Sequence, residues 1–164
     1  MTEPVPAPDP ARAPEPVRGS DAALFPVPDL ARYLTGRWVL RRDIVDDAGA
    51  RLGGFAGEAV FTADAGELVY RETGELELGA HRGPAHRTLH YRLADPATAA
   101  VHFDHGGFFH DLDLRSGRWL VEHPCRADLY RGEFAVHGPD SWWQRWHVAG
   151  PAKHHVLTTD FSRA

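Results

Sequence analysis

Between His123 and Tyr130 the chain reads "HPCRADLY". An imidazole, the chain's only thiol, a carboxylate and a phenol fall within eight residues. A carboxylate bound to an imidazole fixes its tautomer and keeps its pKa near neutral, which suits general acid–base work. In that scheme His123 moves the proton, Asp128 orients it, and Tyr130 donates to a developing oxyanion. These three are the catalytic candidates. Cys125 needs an activating imidazole to become a nucleophile. His123 lies two residues away in a turn and no oxyanion loop is recognisable, so Cys125 reads as a plain buried thiol. A two-histidine, one-carboxylate metal set would draw on His110, His123 and Asp128. No H-x-H or H-x-x-x-H spacing supports it, and no metal is expected. The plainer alternative has Asp128 capping the turn after Cys125 and His123 bonded to a backbone carbonyl.

The strands that carry these side chains decide between such readings. The chain has 164 residues, enough for one domain and short for two. Residues 1–24 stand apart: "EPVPAPDPARAPEP" has little to bury, and it is expected to be a disordered, partly polyproline tail. The folded domain is expected over residues 25–164. No leader and no run approaching the ~18 apolar residues of a membrane span is visible, so a soluble, cytoplasmic protein is expected. A single cysteine excludes an internal disulfide and a Cys-rich zinc site. A net charge of −5 with scattered Lys and Arg argues against nucleic acid as a partner.

Short runs of alternating apolar residues fill the rest, bounded by Gly, Pro, Asp or His, the habit of an all-β chain. A helical turn is expected first, started by Pro28 and Asp29, presenting Leu30, Tyr33 and Leu34, and stopped by Gly36. A strand with Trp38, Leu40, Arg42 and Ile44 on one face follows. Further strands are expected near 55–63, 67–73, 75–79, 86–94, 99–103, 108–114, 118–124, 127–137, 141–149 and 153–163. Tight turns with no crossover helix imply antiparallel up-and-down neighbours, and closing about ten of them into a single barrel removes their edges. A β-sandwich is the structural alternative.

"YLTGRW", leading straight into a strand, resembles the Gly-x-Trp opening of calycins, the lipocalin, fatty-acid-binding and nitrobindin-like barrels. That resemblance implies that Trp38 plugs one end and that a late basic residue, Arg163, packs across it. From about Tyr33 to Arg163 the chain also resembles a family of small bacterial proteins, domain-of-unknown-function family 6314. The matching pieces are "GRW", "FAGEAVF", "YRETGEL", "HFDHGGFFHDLDL", "HPCRADLYRG", "GPAKHH" and "TTDFSR". The resemblance implies a calycin-like barrel and no established activity.

Alternate residues of a barrel strand line its interior. The more apolar parity places Phe61, Tyr70, Phe103, Phe108, Trp119, Phe134 and Trp142 inside with Trp38. It embeds Arg42, Glu72, Tyr91, His110, His123, Asp128, Tyr130 and His155 among them. A ligand site is therefore expected from Arg42, Glu72, Tyr91, His110, His123, Asp128, Tyr130 and Trp146. The partner would be a small apolar or aromatic molecule bearing an acceptor or anionic group. A self-satisfied buried network, Arg42 with Glu72 for example, is the competing account. An acid–base enzyme on the same barrel, resembling calycin-type cyclases or decarboxylases, is a second reading. Haem held by His155, as in nitrobindin-like barrels, is a third. His81, His86 and His105 read as turn residues. His90, His102, His137, His147 and His154 read as outer-face residues. Phe109 with Trp143 would mark an outer apolar patch and a possible homodimer contact.

Overall fold

The computed structural model describes residues 23–164. The proline-rich segment thus lies outside the described residues, apart from its last two. Asp29 caps a five-residue helix, α1 (Leu30–Leu34), by accepting from the Arg32 amide, as expected. Ten strands follow: β1 (Gly36–Asp46), β2 (Arg51–Asp64), β3 (Glu67–Leu78), β4 (His81–Leu93), β5 (Thr98–Phe103), β6 (Phe108–Asp113), β7 (Arg118–Cys125), β8 (Asp128–Gly138), β9 (Ser141–Ala149) and β10 (His154–Arg163).

All pairings are antiparallel, and β1 pairs with β10 as well as β2. The sheet therefore runs from β6 back to β1, across to β10 and on to β7. β6 and β7 approach each other without a hydrogen-bonded ladder, so the barrel is nearly closed, with one seam. The Trp119 indole spans that seam, donating to the Asp111 carbonyl at 2.8 Å.

Two expected strands, 67–73 and 75–79, are one. Gly74 does not turn the chain; it sits opposite Gly57 in the β2–β3 ladder. A Cβ on Gly74 would lie 2.2 Å from the Ala56 carbonyl oxygen, so glycine is needed for close backbone approach. His81 and His86 likewise lie on β4 rather than in a turn, leaving only Gly79 and Ala80 between β3 and β4.

One end is shut by α1. Trp38 is fully buried there, its indole donating to the Leu34 carbonyl. The Arg163 guanidinium lies 3.8 Å above the Trp38 ring and donates to the Tyr33 and Thr35 carbonyls. The late basic residue across the opening tryptophan is in place. The chain before α1 adds to this seal: Phe25 and Val27 donate to the Val136 and Leu114 carbonyls. Phe61, Tyr70, Tyr91, Trp142 and Phe161 fill the barrel above Trp38. Trp142 stacks on Phe161 at 3.8 Å.

The opposite end is open. Along β3, exposure climbs from Leu68 (0%) through Glu72 (4%) to half-buried Leu76. On β4, buried Tyr91 and Leu89 give way to half-buried Arg87 and Ala85. On β10, buried Phe161 and Thr159 give way to half-buried Leu157 and His155. A filled lower half and a wetter upper half define a mouth.

A candidate site at the open mouth

The mouth's floor is a stack of aromatic rings. Trp146 on β9 stacks on Phe109 at 4.9 Å, and Phe109 on Phe103 at 4.5 Å. Gly132 makes room for the first ring, since a Cβ there would meet the Trp146 indole at 2.7 Å. Such pairs are worth about 0.5–1.5 kcal/mol beyond their buried area. His123 stands edge-on to Phe109 at 5.3 Å, with Tyr130 6.2 Å beyond it.

Phe109 was expected on the outer face and Phe108 inside. The structure reverses them: Phe108 is 51% exposed and Phe109 is buried. The β5–β6 register slips between Val101 and His102, a bulge that inserts one residue and flips the alternation beyond it. The outer patch of Phe109 with Trp143 is therefore not formed; Trp143 packs on His137 instead.

His110 follows the bulge and keeps its inward place, packed between Phe109, Phe134 and Trp146. Burial pushes its pKa down to about 4, so the ring is neutral at pH 7. Its Nδ1 lies 2.8 Å from the Asp111 carbonyl, an acceptor, so the proton sits on Nδ1 and Nε2 keeps a free lone pair. His110 also lines a cleft of about 200 Å³ at the seam, beside Trp119 and Val121. A larger groove of about 510 Å³ runs over the outer face of β7–β10.

Arg42, Glu72 and Tyr91 lie deeper. Arg42 grips both Glu72 oxygens at 2.9 Å and donates through Nε to Thr159. Tyr70 donates to the same carboxylate. Burial would raise the Glu72 pKa; the Arg42 hydrogen bonds and the Arg87 and Arg42 charges overcome it and hold it near 2. Burial holds the Tyr70 and Tyr91 phenols above their usual pKa, so both stay neutral. The Arg42–Glu72 pair of the network account is thus present.

Arg87, opposite Glu72 on β4, escaped the sequence reading. Extending the Leu89/Tyr91 alternation by two residues would have found it. Its Nη2 lies 3.4 Å from Glu72 Oε2, and its buried Nε has no acceptor among the described residues.

The rim residues divide. Cys125 pairs with Asp128 across the two-residue loop Arg126–Ala127, and its thiol is exposed rather than buried, because the hairpin tip projects from the barrel. Pro124 sits within β7, which among the described residues pairs only with β8 and so tolerates a missing donor. The Asp128 carboxylate has other neighbours than His123. It lies over Gly150, where a Cβ would meet Oδ1 at 1.8 Å, and 3.8 Å from Lys153 Nζ. Among the described residues no hydrogen bond joins Asp128 to His123, and no group of three or more His, Cys, Asp or Glu is disposed to hold a metal ion. His155 is half-buried at the rim, its pKa lowered by burial and the Lys153 charge.

A profile described as a family of unknown function, DUF6314, matches residues 34–163. The chain belongs to this family. Comparison by sequence with curated proteins finds no match. Among solved structures, the DUF6314 chain is similar to an S-type phycobiliprotein lyase, CPES, from Guillardia theta. The TM-score is 0.61 at 8% identity, over 85% of this chain and 93% of that one. It is also similar to a protein of unknown function of the DUF3598 family from Nostoc punctiforme, with TM-score 0.57 and 12% identity. That match takes in 90% of this chain and 54% of the other, so the DUF6314 chain spans about half its length. At these identities the likeness is one of fold. Among the described residues no helix is long and apolar enough to cross a membrane.

Proposed function

We propose that this DUF6314 barrel binds a small, mainly aromatic or apolar molecule in the open mouth, above the Trp146–Phe109–Phe103 stack. One observation carries the reading. On β3, β4 and β10 the interior-facing groups pass from buried to half-exposed toward the end opposite α1, around a floor of stacked rings. A stacked aromatic floor with a few polar side chains at its edge suits a flat apolar ligand that presents an acceptor. His123 and Tyr130 are the donors nearest that floor. The barrel shared with a phycobiliprotein lyase supports the fold of such a site and adds nothing about its ligand.

Binding is favoured over acid–base catalysis because Asp128 faces Lys153 instead of orienting His123. The test is fluorescence titration with Prodan, a neutral aromatic fluorophore, alongside native mass spectrometry of the purified protein for a co-purified molecule. Prodan is expected to bind with a blue-shifted emission, and Phe103→Glu, which puts a charge on the floor, to abolish it. Equal binding by Phe103→Glu would move the site elsewhere. Asp128→Asn is expected to change affinity by about a factor of ten or less, on the order of one charged hydrogen bond.

A further inference from the structure

Resting on that reading of the mouth, we propose that the ligand is a monocarboxylate and that Arg87 seats its carboxylate. The charge count in the lumen is uneven. Arg42 and Arg87 both point inward, against the single carboxylate of Glu72. Glu72 is committed to Arg42, which takes both its oxygens, and to the Tyr70 hydroxyl. Asp128, the other inward-parity acid, is set against Lys153. The Tyr70 and Tyr91 phenols stay neutral and supply no second anion. Among the described residues one positive charge is left over, and it belongs to Arg87.

The position of Arg87 completes the argument. Among the described residues its Nε is buried without an acceptor, and its one ion pair, at 3.4 Å, is long for a charged hydrogen bond. An unpaired guanidinium N–H in a closed site is costly, and partnered guanidinium groups are the rule. Yet its side chain is 39% exposed, whereas that of Arg42 is 11% exposed. Arg42 is a closed structural pair. Arg87 offers planar donors to the mouth and matches the two oxygens of a carboxylate. One excess charge calls for one negative charge, so a dicarboxylate or a phosphate dianion would be left partly uncompensated in the apolar cup.

The experiment is calorimetric titration with two matched probe pairs, 2-naphthoate against 2-naphthamide and dodecanoate against its methyl ester. Within at least one pair the carboxylate is expected to bind about 10- to 100-fold tighter, the range for one charge-assisted contact. Arg87→Met is expected to erase that preference. Arg87→Lys, which keeps the charge and loses the fork, is expected to retain part of it. Equal binding of acid and neutral analogue, or a preference that survives Arg87→Met, overturns the assignment and leaves the binding mouth standing. If no member of either pair binds, both fall. Should Arg87→Met fail to fold, the wild-type ratio and Arg87→Lys still decide the matter.

Discussion

Glu72 offers the sharpest thermodynamic test of the interior. Its side chain is 5% exposed, and its pKa is held near 2 against an ordinary 4.5. A carboxyl whose folded pKa is depressed contributes stability that is fully present above the unfolded value and lost as pH falls through the folded one. A shift of this size corresponds to about 3 kcal/mol at pH 7. Integration between the two pKa values places about 2 kcal/mol of that loss above pH 3. Other carboxylates titrate in the same range, so the useful quantity is the difference between wild type and Glu72→Gln. Gln keeps the shape and cannot ionise. In urea unfolding, the stability gap between the two proteins is expected to shrink by about 2 kcal/mol from pH 7 to pH 3. A gap that stays constant would show that Glu72 is not an ionised partner of Arg42 in the folded barrel. The charge count that singles out Arg87 would then fail with it.

Arg163→Ala removes a cation lying on Trp38 and two donors to the α1 segment, and should cost about 2–4 kcal/mol in urea unfolding. A cost under about 0.5 kcal/mol would mean the seal is held by apolar packing alone. His90 is bonded to Asp104 and Glu67, which raise its pKa. Its contribution is thus present below its unfolded value and lost as pH rises through the folded one. The melting-temperature gap between wild type and His90→Gln should narrow from pH 5.5 to pH 9. Deleting residues 1–22 should leave the melting temperature unchanged; a drop of several degrees would show that this segment packs on the barrel.

Much of the barrel was legible because most of its strands obey one rule. In β1, Trp38, Leu40 and Ile44 are buried and Arg42 sits among them, so parity alone placed the Arg42–Glu72 pair inside. The rule gave out where geometry other than alternation was at work. Nothing in "DHGGFF" distinguishes a plain turn from a turn followed by a bulge, yet the bulge decides which phenylalanine completes the floor. Parity also fixes a face and not a rotamer. Asp128 lies on the inward alternation that His123 shares, but Gly150 leaves an open space beside it and Lys153 an attractive charge. The carboxylate takes that space. Among the described residues the carboxylate suggested as His123's partner by "HPCRADLY" is thus found beside Lys153 and not hydrogen-bonded to the imidazole.

Arg87 was missed for the opposite reason. It falls inside the strand expected near 86–94, but the inner set there began at Leu89; the same alternation carried back two residues places Arg87 in the lumen opposite Glu72. A closed barrel has no use for a second interior cation beside a single interior carboxylate, because an uncompensated charge away from water is among the costliest features a core can hold. Its persistence is tolerable only where water or a ligand can reach it. The half-exposed upper turns of β3, β4 and β10 supply that access, and they surround the same aromatic floor that the shifted Phe109 completes. A bulge that alternation could not reveal and an arginine one step further along it are thus the two features that give the mouth its surface and its charge.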